Sequence, residues 1–199
     1  GEKLKPMIIG KSKNPRCFRG IDLSCVGVEY HSSCKAWMTN SLFNKYLLNL
    51  NRFFSLQDRK ILLLLDNAPV HIVDEATESC LTHVKLQFFP PNLTSVLQPL
   101  DGGIIRSLKV HARRFQITQL LEQLDDFDGH AADLVKKLTV LDAMKFVNAS
   151  WKLITKETII KCFVNCGFGN INDENTVIGD EGEGEEEQIG ELLREVGVG

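Results

Sequence analysis

The stretch between residues 61 and 101 constrains the fold of this chain more than any other part. It begins with five consecutive apolar residues, Ile61 to Leu65, and this run ends at Asp66. An apolar run of this length, preceded by two charged residues and followed by a turn signal, predicts a strand buried on both faces. Such a strand delivers its terminal carboxylate to the carboxyl edge of a sheet, where α/β proteins build their sites. A second carboxylate, Asp101, follows a proline-stiffened connector and opens a predicted helix, so the stretch suggests a divalent-metal site.

The remaining chain alternates predicted strands with predicted helices. Hydrophobic alternation and turn residues predict strands over residues 6–10, 23–30, 61–65 and 84–89. The helical period predicts helices over residues 35–56, 74–80, 102–124, 139–154 and 156–165. This order is typical of the α/β class. The first two strands are joined without a helix and are expected to be antiparallel, whereas the later strands can be parallel.

Two local expectations concern the first helix and the tryptophans. Ser32 or Ser33 can cap the helix that starts near residue 35, because a hydroxyl oxygen accepts from the free N–H groups of a first turn. Trp37 and Trp151 are expected to belong to the core rather than to stack on nucleic-acid bases.

The net charge of −3 hides an uneven distribution. Residues 173–199 hold ten of the 26 acidic residues and one of the 23 basic ones, which leaves 16 acidic and 22 basic residues before them. A body of about +6 with an acidic appendage suits a nucleic-acid-binding protein, although a charge of this size is also ordinary for a globular domain. From residue 170 onward glycine and glutamate dominate, so the tail is expected to be disordered.

Composition and cysteine usage exclude two classes of protein. No apolar run approaches the roughly 20 residues that span a bilayer, so no membrane association is expected. The six cysteines form no C-x-x-C pair, so a zinc site is not expected and reduced thiols are the default. An apolar content of 43% over 199 residues is enough for one domain with a sizeable core.

Several long motifs resemble one family of DNA-processing proteins. The chain is similar to the DDE transposase domain of the Tigger/pogo family, which includes the jerky proteins and centromere protein B. The resemblance covers about residues 2–168 and is carried by segments 5–6, 9–12, 15–18, 35–38, 59–71 and 90–101. It implies an RNase H-like mixed sheet flanked by helices, with a domain over residues 1–168 and an acidic tail over residues 169–199.

The resemblance also implies a metal site. Asp66 matches the family's second metal-binding carboxylate and Asp101 the third, with the family's spacing of 34 residues between them. The expected cofactor is Mg²⁺ or Mn²⁺, if the site is competent. His71 belongs to the same motif and can orient a carboxylate, touch a phosphate or serve only the structure. Without the resemblance, Asp66 reads as a turn former and Asp101 as the N-cap of the next helix.

Departures from the family pattern bear on activity. The family's first two strands, its first catalytic Asp and its helix-turn-helix modules have no counterpart here, and Glu29 and Glu75 are poor substitutes for that Asp. Val70 stands where the family has Ser, Gly102 where it has Gln, and His111 where Tyr is common. The chain alone is therefore expected not to cut DNA. Whether the protein is an enzyme depends on whether an upstream segment supplies the first catalytic carboxylate.

DNA is the expected partner and the nucleus the expected location. Candidate phosphate contacts are basic residues that can equally form solvated faces: Lys11, Lys13, Arg16, Arg106, Lys109, Arg113 and Arg114. Self-association is expected because losing two strands exposes a sheet edge, and the acidic tail can bind basic proteins. Three functions stay open: a DNA-binding domain without cleavage activity, the core of an active metal-dependent transposase, and a decayed transposon fragment.

Overall fold

The first strands of the chain run parallel rather than antiparallel. The computed structural model describes residues 2–91, 93–124, 129 and 131–169, so the expected tail disorder lies outside the described residues. β1 (Met7–Gly10) and β2 (Glu29–Ser32) form a two-stranded sheet. Glu29 N–H donates to Pro6 O at 2.9 Å and Ser33 N–H to Gly10 O at 3.0 Å. The donor and the acceptor are separated by the same number of residues in both bonds, as they are between parallel strands.

The predicted strand over residues 23–30 is wrong in its first half. The Asp22 side chain accepts from Ser24 N–H at 2.9 Å and starts a 3₁₀ turn, Leu23–Val26. Gly27 then adopts a left-handed conformation with φ of +80°. A Cβ at Gly27 would lie 2.6 Å from Asn148 Oδ1, so any other residue would displace this side chain in addition to straining the left-handed backbone. The hydrogen bond that the Asp22 side chain accepts favours a turn over the extended conformation that the alternating pattern predicts, so β2 begins only at Glu29.

The first helix begins later than predicted. α1 (Asn40–Ser55) is capped by Thr39, whose hydroxyl accepts from Leu42 N–H at 3.3 Å. Ser33 instead closes a loop, because its hydroxyl accepts from Trp37 N–H at 3.0 Å and donates to Trp37 O at 2.7 Å. Ala36, at φ of +57°, turns the chain inside this loop. Trp37 is 77% exposed, so its predicted core position is wrong.

A strand–helix–strand unit follows α1. β3 (Ile61–Leu65) pairs in parallel with β4 (Val84–Phe88), with Ile61 opposite Val84 and Leu65 opposite Phe88. The crossover contains α2 (Glu75–Cys80), and α3 (Thr94–Leu97) comes after β4. The predicted strand and parallel pairing are confirmed. The predicted burial on both faces is wrong, because Leu62 is 55% exposed.

The last part of the chain is helical. A π-helical turn (Leu100–Ile104) leads into α4 (Ile105–Leu124), and α5 (Ala131–Lys137) follows. α6 (Val140–Leu153) and α7 (Lys156–Asn165) match two predicted helices within a few residues. No described helix is long and apolar enough to cross a membrane.

The described residues divide into two compact units. The central unit takes in Ile9–Ser12 and Ser32–Gln98, and the terminal unit takes in the described parts of Gly1–Ile8, Lys13–His31 and Pro99–Gly199. The buried face of α1 supplies much of the apolar core of the central unit, through Phe43, Leu47, Leu50 and Phe54. In the terminal unit Ile104, Ile154 and Cys162 pack together with Trp151 beside them, which confirms the core position of this tryptophan. Burying an isoleucine side chain such as Ile104 or Ile154 contributes about 1.5–3 kcal/mol.

Candidate functional site

Asp66 lies directly after β3, at the carboxyl end of the strand. Its Oδ1 accepts from Ala68 N–H at 3.1 Å and lies 2.7 Å from His71 Nδ1. The side chain is 31% exposed, and its Oδ2 has no hydrogen-bond partner among the described residues. The turn-forming role and an outward-facing carboxylate oxygen therefore coexist in one residue.

His71 is fixed by the turn that Asp66 opens. Its Nδ1 also lies 3.2 Å from the backbone oxygen of Asp66, so one donated proton is shared between the carboxylate and the carbonyl. The imidazole ring packs on Phe43 of α1, with 4.6 Å between ring centroids. This arrangement corresponds to the carboxylate-orienting alternative for His71.

Asn67 ties the ends of the two parallel strands together. Its Nδ2 donates to Phe89 O at 2.6 Å, and Phe89 N–H donates to Leu65 O at 2.8 Å. Nothing in the local sequence around Asn67 identifies this bond to Phe89, which spans 22 positions. These ties hold the turn that carries Asp66 against the end of β4.

Asp101 occupies the first turn of the π-helical segment in the terminal unit. Pro99 holds the N-cap position and makes no side-chain cap bond, so the alternative that Asp101 caps this helix is wrong. The carboxylate is exposed near the free N–H groups of the helix start, where negative charge is favourable.

Two buried thiols explain the glycines after Asp101. A Cβ at Gly102 would lie 3.3 Å from Cys166 Sγ, and one at Gly103 would lie 3.0 Å from Cys162 Sγ. Gly103 also has φ of +144°, a conformation that side chains rarely adopt. Burial raises the pKa of both thiols, so they remain protonated and serve as apolar packing. A larger residue at position 102 would therefore press against the Cys166 sulfur.

The basic residues predicted for DNA contact are all exposed. Lys11 lies in the central unit, and Lys13 and Arg16 lie in the terminal unit. Arg106, Lys109 and Arg113 recur at three- and four-residue intervals along α4, and Arg114 lies beside them. The α4 spacing places the first three on one face of the helix.

The described residues contain no cluster of three or more His, Cys, Asp or Glu side chains that could hold a metal ion. Glu29 Oε2 lies 3.7 Å from His31 Nε2, and Glu75 lies in the first turn of α2. Asp66 and Asp101 each present a carboxylate of the hard-oxygen type that Mg²⁺ and Mn²⁺ accept.

Comparison with known proteins identifies relatives along most of the chain. A family described as DDE superfamily endonuclease matches residues 1–163. Mouse Tigger transposable element-derived protein 4 is 32% identical over 174 residues, which is 87% of this chain and 32% of the relative. Human Major centromere autoantigen B is 32% identical over 168 residues, which is 84% of this chain and 26% of the relative. Mouse Jerky protein is 31% identical over 114 residues, or 53% of this chain and 20% of the relative.

The chain spans about a third or less of the length of these relatives. No solved structure matches the chain. The family match covers far more than half of the sequence, and the expected resemblance is confirmed. The chain therefore belongs to the DDE superfamily endonucleases and shares its ancestry with the Tigger transposable element-derived proteins.

Proposed function

We propose that this chain is a transposase-derived DNA-binding domain that does not cut DNA by itself and acts in the nucleus. The observation that carries the proposal is the match to the endonuclease family over residues 1–163. An exposed basic set on α4 supports DNA as the partner.

An RNase H-like fold is the architecture we propose for residues 1–168. Support comes from the parallel pairing of β3 with β4 through the α2 crossover. The position of Asp66 at the carboxyl end of β3 is also where α/β sheets present functional groups.

Asp66 and Asp101 are proposed as the ancestral second and third metal-binding carboxylates. Asp66 offers Oδ2 while its Oδ1 is held by Ala68 and His71, and Asp101 is exposed. A bound Mg²⁺ or Mn²⁺ would activate the attacking oxygen or stabilise the leaving oxygen of a phosphodiester. His71 orients the Asp66 carboxylate in this scheme.

DNA binding is tested by the salt dependence of affinity. Neutralising a phosphate contact reduces the slope of log affinity against log salt by about 0.9. The double substitution Lys109→Gln with Arg113→Gln should weaken binding to duplex DNA and lower that slope by about 2, measured by fluorescence anisotropy. A matched control is Lys152→Gln with Lys156→Gln, which removes two exposed charges from α6 and α7. Equal slopes for both variants would remove α4 from the interface, and no binding by the parent chain would end the proposal.

A second candidate, the core of a metal-dependent endonuclease, is favoured by the free Oδ2 of Asp66. Plasmid nicking in Mg²⁺ or Mn²⁺ separates the two. We expect no nicking by the chain alone. Nicking that disappears in Asp66→Ala and persists in Glu78→Gln would favour the endonuclease. Mn²⁺ broadening of the Asp66 and Ala68 amide resonances reports metal binding independently of activity.

A further inference from the structure

The terminal unit carries an apolar groove between α4, α5 and α6. Its volume is about 850 Å³, and the α5–α6 side is lined by Val135, Leu138, Val140, Ala143, Phe146 and Val147. Val135 is 48% exposed and Val140 is 37% exposed. Uncovered apolar surface of this kind is typical of a site that another chain segment occupies.

The α4 side of the groove is basic. Lys109 and Arg113 line it, both are exposed, and neither forms an ion pair with a described residue. Among the described residues, no acidic side chain lines the groove. The charge pattern therefore favours an occupant with an apolar stripe and acidic flanks.

Residues 185–196, which lie outside the described residues, have that composition. Five of the twelve residues are acidic and one is basic. The apolar residues follow i, i+3, i+4 and i+7 spacing, at Ile189, Leu192, Leu193 and Val196. This is the spacing of one face of an amphipathic helix.

We propose that residues 185–196 dock in the α4–α5–α6 groove of the same molecule. The apolar stripe would cover the valines of α5 and α6, and the glutamates would face Lys109 and Arg113. Residues 170–184 connect the segment to the last described residue, Gly169. A connector of this length that behaves as a random coil would span about 20 Å on average, which is more than the radius of gyration of a domain of about 100 residues. Tethering gives the segment an effective concentration of about 1 mM.

Docking would compete with DNA. Lys109 and Arg113 belong to the proposed phosphate-binding face, so this consequence rests on the proposed function, whereas the docking itself does not. The segment would act as an internal mimic of a polyanion, and its release would free the basic face of α4.

Hydrogen exchange of the full chain tests the docking. The substitutions Leu192→Asp with Leu193→Asp remove half of the apolar stripe and change no residue of the groove itself. The matched control, Val177→Asp with Ile178→Asp, changes two adjacent apolar tail residues outside the segment. We expect about fourfold faster exchange of backbone amides in residues 135–147 for the first variant only, as for a 1 mM effective concentration and a dissociation constant of about 0.3 mM.

A groove variant and DNA titrations complete the test. Ala143→Glu, at an exposed groove position, should reproduce the faster exchange and add nothing when combined with the segment variant. Unchanged exchange in the segment variant would overturn the proposal. Protection that grows with protein concentration would also overturn it, because the occupant would then be a second copy. If exchange responds while no variant binds DNA, docking stands and the proposed DNA function fails.

Discussion

At the residue scale, a single lysine closes the carboxyl end of α6. Lys3 Nζ donates to Trp151 O at 2.6 Å, to Lys152 O at 3.1 Å and to Ile154 O at 2.7 Å. The same ammonium lies 5.7 Å from the centroid of the Trp151 ring, and Trp151 Nε1 donates to Leu4 O at 2.8 Å. A positive charge at this helix end satisfies carbonyls that have no intrahelical partner and complements the helix dipole.

Lys3→Met should therefore lower the stability of the terminal unit. Three charge-assisted bonds to backbone carbonyls are lost while the aliphatic stem is retained, so we expect a cost of about 1–2 kcal/mol. In thermal unfolding this corresponds to a midpoint lowered by about 2–8 °C for a chain of this size. Lys5→Met, which changes an exposed lysine with no partner among the described residues, is the control. Equal unfolding midpoints for Lys3→Met and Lys5→Met would contradict this stabilising role of Lys3.

At the element scale, α6 begins with a reciprocal capping box. The Thr139 hydroxyl accepts from Asp142 N–H at 3.2 Å, and Asp142 Oδ2 accepts from Thr139 N–H at 2.9 Å. Burial raises the pKa of Asp142, but the hydrogen bonds from Thr139, the charge of Lys145 and a hydrogen bond with Gln119 together leave the pKa below its usual value. The box fixes where α6 starts, and so where Val140 and Ala143 enter the groove.

Thr139→Ala should cost about 1 kcal/mol at neutral pH, the usual effect of losing an N-cap side chain. The pH dependence follows from the Asp142 pKa, which is lower in the folded than in the unfolded state. Its contribution is complete above the unfolded pKa of about 3.9 and is lost as the pH falls through the lower folded pKa. The free energy difference from Thr139→Ala should thus be constant from neutral pH to about pH 5 and shrink below about pH 4. Urea unfolding at a series of pH values measures it, with exposed Thr118→Ala on α4 as the control.

Elements with a clear apolar pattern were predictable from the sequence. Elements whose start depends on a single side-chain cap or on a left-handed residue were not. β3 was predicted because its apolar run is uninterrupted, and α6 because its apolar residues follow the helical period. The second strand was misplaced because Asp22 and Gly27 build a turn inside an alternating pattern. Asp66 was placed correctly at a strand end, but its contacts with His71 and Phe43 depend on tertiary packing. Trp37 was wrongly assigned to the core, because the residue type alone does not reveal that Ala36 adopts a positive φ and turns the chain just before this tryptophan.

At the scale of the whole molecule, the central unit exposes much apolar surface. Leu56 is 80% exposed, Ile72 is 60% exposed and Leu62 is 55% exposed. Among the described residues β3 pairs only with β4, so one edge of β3 has unpaired backbone groups. An apolar side chain beside an open strand edge favours pairing between molecules.

Leu62→Gln should reduce self-association of the chain. The substitution removes exposed apolar surface next to the open edge of β3 and leaves the Leu62–Lys85 register position in place. Sedimentation velocity across a concentration series should show a smaller weight-average sedimentation coefficient than for the parent chain. Leu153→Gln, at a leucine of the terminal unit that is 50% exposed, is the matched control. Identical concentration dependence for all three proteins would contradict a role for this edge.

The hydrogen bonds from Lys3 to the carboxyl end of α6 also set an order of events during synthesis. Lys3 precedes its acceptor at Trp151 by 148 positions, which a ribosome adding about 5–20 residues per second covers in about 7–30 s. Most of the central unit, residues 32–98, emerges within that interval, while the amino-terminal segment waits for α6. Such distant pairing slows folding, because loop closure precedes any compensating contact. A nascent chain stalled before residue 154 is therefore expected to remain a chaperone client in the segment around Lys3, even after residues 32–98 have folded.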